Sequence, residues 1–205
     1  MSIDGVIKFK IEWEEKAADF PETTSIISTR QQLYSKKWIG FDQQHQVGYG
    51  NISCQTKDDK FLISGTQTGH IAEFKKEHLT EVMSYNISKN TLSCRGPVKA
   101  SSESLTHAAI YSADSTVSHI IHIHHNKMWE YMLENNYLQT KEGIEYGTVE
   151  MAQEILRLFK EEDLALQQLF AMQGHHGGIF SFGEHFEQAL NILFELENRF
   201  NQRLK

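Results

Sequence analysis

The chain has 205 residues, 40% of them hydrophobic and 23% charged, and no Pro/Gly/Ser-rich linker divides it, so one sizeable core is expected. A net charge of −7 and a pI near 5.9 speak against nucleic acid as a partner, because neutralising phosphates needs clustered Lys and Arg. The N-terminal stretch MSIDGVIKFKIEWEEK lacks a basic segment followed by an apolar core, and no run of about 18 apolar residues occurs; a cytoplasmic chain without membrane contact is expected.

Residues 1–24 read as an N-terminal extension and 25–205 as the main domain. In SIISTRQQLYSKKWIG the spacing of Ile26, Leu33 and Trp38 predicts a helix over 25–40, stopped by Gly40. VGYGNIS reads as a glycine-punctuated loop, and Phe61 to Ile63 as a short buried strand ending in the turn residues of SGTQTG. Cys54 and Cys94 lie forty residues apart without a CxxC grouping and are expected to be small buried side chains. SSESLTHAAIY predicts a helix from Ser101, with a serine cap and Glu103 as a favourable charge in the first turn. The alternating, β-branched VSHIIHIHH predicts a strand. Helices follow over 127–135 and 149–159, the second with Met151, Ile155, Leu158 and Phe159 on one side. Strands over 169–172 and 179–182 flank the polar GHHGG, and Phe186, Leu190, Leu193, Leu196 and Phe200 line one face of a long C-terminal helix. Interleaved strands and helices point to a layered α/β or α+β domain.

HIIHIHH places four of the eleven histidines within seven positions. On a strand, His122 and His124 project from one face while Ile121 and Ile123 face the opposite core. His119 and His125 have the other parity, the first structural and the second opening the next turn. A satisfied buried or surface pair is the competing reading of HxH alone. A catalytic zinc needs a third protein ligand and an open position, and GHHGG offers His175 or His176 on a bendable backbone. Glu103 can ligate a metal or act as general acid/base. Ser101 and Ser102, at a helix start, join GNIS and SGTQTG as a possible anion cradle.

In this order, GNIS (50–53), LISGTQTG (62–69), ASSESLTHAAIY (100–111), HIHH (122–125), YGTVEMA (146–152) and GHHGGIFSFGEHFEQAL (174–190) resemble the class II aldolase/adducin family. The resemblance implies a three-layer α/β/α single domain with a central, mainly antiparallel sheet, assembled as a homo-tetramer. It implies Zn2+ or another divalent metal held by His122, His124 and His175, with His176 the runner-up, and Glu103 as the catalytic acid/base. It assigns substrate phosphate to Gly50, Asn51, Ser64, Gly65, Thr66, Ser101 and Ser102. The implied activity is that of a metal-dependent lyase, cleaving a sugar phosphate or related hydroxy-keto compound through a metal-stabilised enediolate. Epimerisation or dehydration on the same scaffold, an adducin-like interaction protein and a histidine-based metal sensor or carrier are the alternatives.

Overall fold

The structure is a computed structural model that describes residues 6–21 and 23–203; the outer ends of the two expected segments, 1–5 and 204–205, lie outside them. In chain order the elements are β1 (Lys10–Glu15), α1 (Thr24–Ser35), β2 (Gly40–Asp42), β3 (Val47–Tyr49), β4 (Asn51–Gln55), β5 (Phe61–Ser64), β6 (Leu79–Asn86) and β7 (Thr91–Gly96). There follow α2 (Ser104–Ala113), β8 (His119–His124), α3 (Asn126–Glu134), α4 (Val149–Glu161), α5 (Leu164–Gln167), β9 (Leu169–Ala171), β10 (Gly178–Gly183) and α6 (Phe186–Arg203).

Eight strands form one sheet in the order β1-β7-β6-β5-β4-β8-β10-β9. Every neighbouring pair is antiparallel except β1 with β7. Alternation along the strands sends side chains to two cores, each covered by helices. On one face Phe61, Ile120 and Phe180 meet Leu105 and Ala109 of α2 and Met151 and Ile155 of α4. On the other, Ile52, Ile121 and Ile123 meet Ile26 and Leu33 of α1, Met128 of α3 and Leu190 and Leu193 of α6. Fully burying one such side chain contributes roughly 1.5–3 kcal/mol, so the two helix layers are held by the apolar stripes the sequence carries. The fold is therefore the expected three-layer arrangement around a mainly antiparallel sheet. No described helix is long and apolar enough to cross a membrane.

Three local expectations are corrected. Helix α1 ends at Ser35 rather than Gly40, because Lys37 turns left-handed (φ 58°). The amides of Lys37 and Trp38 fold back onto the carbonyls of Tyr34 and Leu33, both at 2.9 Å, and close the helix early. VGYGNIS holds two strands rather than a loop: only Gly50 within it is left-handed (φ +74°), and it separates β3 from β4. A Cβ there would lie 2.8 Å from Ile39 Cγ1 and 3.0 Å from the His122 carbonyl, so the kink that starts β4 beside β8 requires glycine. Helix α2 starts at Ser104, after a turn in which the Ser104 amide reaches the Ser101 carbonyl at 3.1 Å. Glu103 occupies the N-cap position without capping; its carboxylate is turned inward instead. Strand β1 and the β6–β7 hairpin were not foreseen. Residues 10–15 of the expected extension form the parallel edge strand on β7, with Glu14 paired to Arg95 at 2.8 Å.

Candidate metal centre

Three adjacent strands set the site. In register, Asn51 of β4 faces His122 of β8, which faces Phe180 of β10. The parity argument holds: His122 and His124 lie on the face of α2, while Ile121 and Ile123 enter the opposite core. The turn between β9 and β10 then delivers His175, which is 6% exposed. One ligand atom from each of His122, His124 and His175 lies within 4.8 Å of the others. His176 stays exposed against the Trp129 ring, 4.9 Å away. The close approach needs Gly178, whose added Cβ would meet His175 Cδ2 at 2.7 Å and His122 Cε1 at 3.2 Å. His119 and His125 serve the fold. The first packs edge-on against Phe186 at 4.4 Å, and the second accepts the Met128 amide as the cap of α3.

Glu103, 4% exposed, sits among the three rings. Its Oε2 lies 2.8 Å from His122 Nε2 and accepts Asn51 Nδ2 at 2.8 Å, and its Oε1 lies 4.0 Å from His175 Nε2. Oε1 is buried with no hydrogen-bond partner among the described residues. The histidine tautomers bear on what belongs here. His122 Nδ1 is 3.2 Å from the Ile179 carbonyl, which can only accept, so Nδ1 carries a hydrogen and Nε2 is the atom turned to the other ligands. That Nε2 is 3.2 Å from His124 Nε2 and 2.8 Å from the carboxylate. Electron-rich atoms crowded this closely in a dry site require a proton or a cation between them. A divalent ion would satisfy the three imidazoles together and offset the charge of the carboxylate beside them, with the donor chemistry that zinc takes. The residues present therefore fit a metal.

Burial drives the protonation states, modified by neighbours. For Glu103 it works to raise the pKa, but His122 foremost, then His175 and His124, outweigh it and hold the carboxyl below the usual carboxylate range. Burial lowers His124 well below its ordinary value, with His175 and His122 adding to the effect. It lowers His175 to about 4 and His107 to about 3, against the opposing pull of Glu103 in both cases. His124 and His175 are thus neutral and ready to ligate near neutral pH. The sign for stability follows. As pH falls below about 6.5, the unfolded chain binds protons that the folded, metal-free chain refuses, so stability is lost progressively toward those lowered values. Urea midpoints of metal-free protein should fall between pH 7.5 and 5; a flat profile would contradict neutral buried rings.

A polar cleft opens beside this centre, lined by residues 48–51, 65–69 and 101–103 with His124, Tyr146 and His175. It brings together Gly50, Asn51, Gly65, Thr66, Ser101 and Ser102. Ser64 is not among its lining: it is 4% exposed and its Oγ accepts the Ile52 amide at 3.2 Å. Arg30 was missed in the sequence, where nothing distinguishes it from a surface helix residue. Its buried guanidinium donates to the carbonyls of Thr68 and Gly69, both at 3.1 Å, and of Ile71, pinning the 65–71 loop from the α1 side. Burial pushes its pKa down to about 10. Tyr146, in the YGT segment, packs its ring 4.7 Å from that of His175 and was also missed.

A three-layer domain thus carries a buried histidine triad that could hold a metal ion, with an inward carboxylate beside it. The sequence profile of the Class II Aldolase and Adducin N-terminal domain matches residues 26–204, and the chain belongs to that family. Solved structures share the fold. L-Fuculose-1-phosphate aldolase from Thermus thermophilus is 19% identical, with a TM-score of 0.61 over 88% of this chain and 91% of that one. Sugar-phosphate aldolase from Thermotoga maritima is 14% identical, with a TM-score of 0.65 over 87% and 91%. YgbL from Klebsiella pneumoniae is 18% identical, with a TM-score of 0.64 over 86% and 85%. Among curated protein sequences, none matches the chain significantly.

Proposed function

We propose that this protein is a metal-dependent lyase of the aldolase type, acting on a sugar phosphate or a related hydroxy-keto compound. The observation that carries this reading is the convergence of His122 with His124, His175 and Glu103, the last three lining a polar cleft. The three imidazoles would hold Zn2+ or another divalent ion, which when bound supplies a Lewis acid for negative charge developing on a carbonyl oxygen. The protein's own groups do the rest. Glu103, ionised at rest, would take the hydroxyl proton of the carbon that becomes the aldehyde as the carbon–carbon bond breaks and deliver it to the carbon that loses its partner; in condensation the same proton would run in reverse. The hydroxyls of Thr66, Ser101 and Ser102, with the backbone at Gly50 and Gly65, line the place for a phosphate, and the N-terminus of α2 favours an anion there. Fixing that end would orient the reacting carbons. Residues 25–205 carry the site, with 1–24 as an extension whose strand β1 lies on the sheet edge. A cytoplasmic homo-tetramer is the proposed form.

Metal-loaded protein is to be incubated with ketose 1-phosphates and with the free ketoses, following aldehyde release by a coupled dehydrogenase. Aldehyde release from a phosphorylated ketose, lost on chelation, is the expected result. Conversion without aldehyde would replace cleavage by epimerisation or dehydration. Protein that binds no divalent ion and turns over nothing would instead support an adducin-like interaction role.

A further inference from the structure

Helix α2 and strand β4 meet through polar side chains in an otherwise apolar layer. His107 and Tyr111 of α2 follow its N-cap residue Glu103 at steps of four; Asn51 and Ser53 are spaced by two along β4 and share a face. Four helical residues advance about 6 Å and two strand residues about 6.6 Å, so the two series interleave rung by rung. Asn51 Nδ2 donates to Glu103 Oε2 at 2.8 Å, and Asn51 Oδ1 lies 2.6 Å from His107 Nε2. His107 Nδ1 lies 2.7 Å from Ser53 Oγ, which lies 2.7 Å from the Tyr111 hydroxyl. Asn51, Ser53, His107 and Tyr111 are all buried, none more than 5% exposed.

With a neutral His107 ring, only one placement of hydrogens satisfies a chain that ends on an ionised carboxylate. Asn51 must present its NH2 to Glu103, so its oxygen faces His107 and requires hydrogen on Nε2. Nδ1 is then bare and accepts from Ser53, which accepts from Tyr111. Every donor points toward Glu103. We infer that His107 is a positioning residue for the catalytic acid: through Asn51 it occupies Oε2 and leaves Oε1 to carry the proton in turnover. Both ends of the Asn51 amide are engaged in this chain, so Asn51 orients Glu103. Burying four polar side chains is costly compared with an apolar filling of the same shape, and their order toward one carboxylate gives that cost a purpose. The inference rests on the proposed acid/base role of Glu103.

Two measurements on the full chain need no substrate. Nitrogen-15 NMR of the ring nitrogens should show His107 protonated at Nε2 and bare at Nδ1, and Ser53→Ala should release that preference. The visible spectrum of Co2+-loaded protein reports the carboxylate beside the ion. His107→Leu should shift it as Asn51→Ala does, with no further change in the double variant, and His107→Gln, which keeps a donor at similar reach, should restore it. An Nδ1–H tautomer, or additive spectral effects, overturns the inference. If His107→Leu does not fold, the tautomer and His107→Gln still decide. A fully active Glu103→Gln variant beside the expected tautomer would fail the acid/base reading alone; the reverse pattern would fail this inference alone.

Discussion

Glu103→Gln is expected to retain the bound ion and lose turnover by about a hundredfold to ten-thousandfold, the range of a positioned acid/base. The change keeps the shape and one oxygen, so Asn51 Nδ2 still has an acceptor at the Oε2 position, 2.8 Å away in the parent. The three imidazoles that would hold the ion are untouched. What is lost is the carboxylate whose buried oxygen Oε1, without a hydrogen-bond partner among the described residues, can take and return a proton. Metal content and turnover of the same preparation give the answer together. A variant with full ion and full activity would remove Glu103 from the chemistry. One that loses the ion as well would make the carboxylate mainly a ligand.

His122→Ala should abolish stoichiometric metal binding, weakening affinity beyond the roughly 10–100-fold that loss of an outer hydrogen-bond partner costs. His122 is fully buried, held by the Ile179 carbonyl and stacked on Phe180 at 4.3 Å, so its aim is fixed by the sheet. A ligand ion stabilises the fold by mass action, about 2.7 kcal/mol when its concentration is a hundred times Kd. The thermal shift that Zn2+ produces in the parent should therefore vanish in His122→Ala. His176→Ala is the control: that ring is exposed against Trp129, outside the triad, and its removal should leave the shift intact. Equal loss in both variants would mean that the ion sits elsewhere in the GHHGG turn.

Much of this was legible where the physics is local. Strand parity separated His122 and His124 from His119 and His125, and the stripe Phe186, Leu190, Leu193 and Leu196 is buried against the sheet as its spacing required. The helices from 127 and 149 begin within one residue of expectation. Illegible features depend on distant partners. Strand β1 exists because β7 offers it an edge, and β6 and β7 pair across a bulge at Val82 and Ser84 that breaks their alternation. Arg30 is buried only because the 65–71 loop lays its carbonyls over it. Glu103 resembled a helix-start charge because its spacing to Ser104 is that of one; only the neighbouring strand shows where its carboxylate goes. His107 and Tyr111, at four-residue steps from Glu103, carried a visible signal that gains meaning once β4 is known to lie beside α2.

Zinc K-edge absorption on protein loaded with one equivalent of Zn2+ tests the centre most directly. Three imidazole nitrogens at about 2.0–2.1 Å with one or more oxygens, and no sulfur, is the predicted shell. A sulfur ligand from Cys54 or Cys94, or an ion that washes out on desalting, would contradict it.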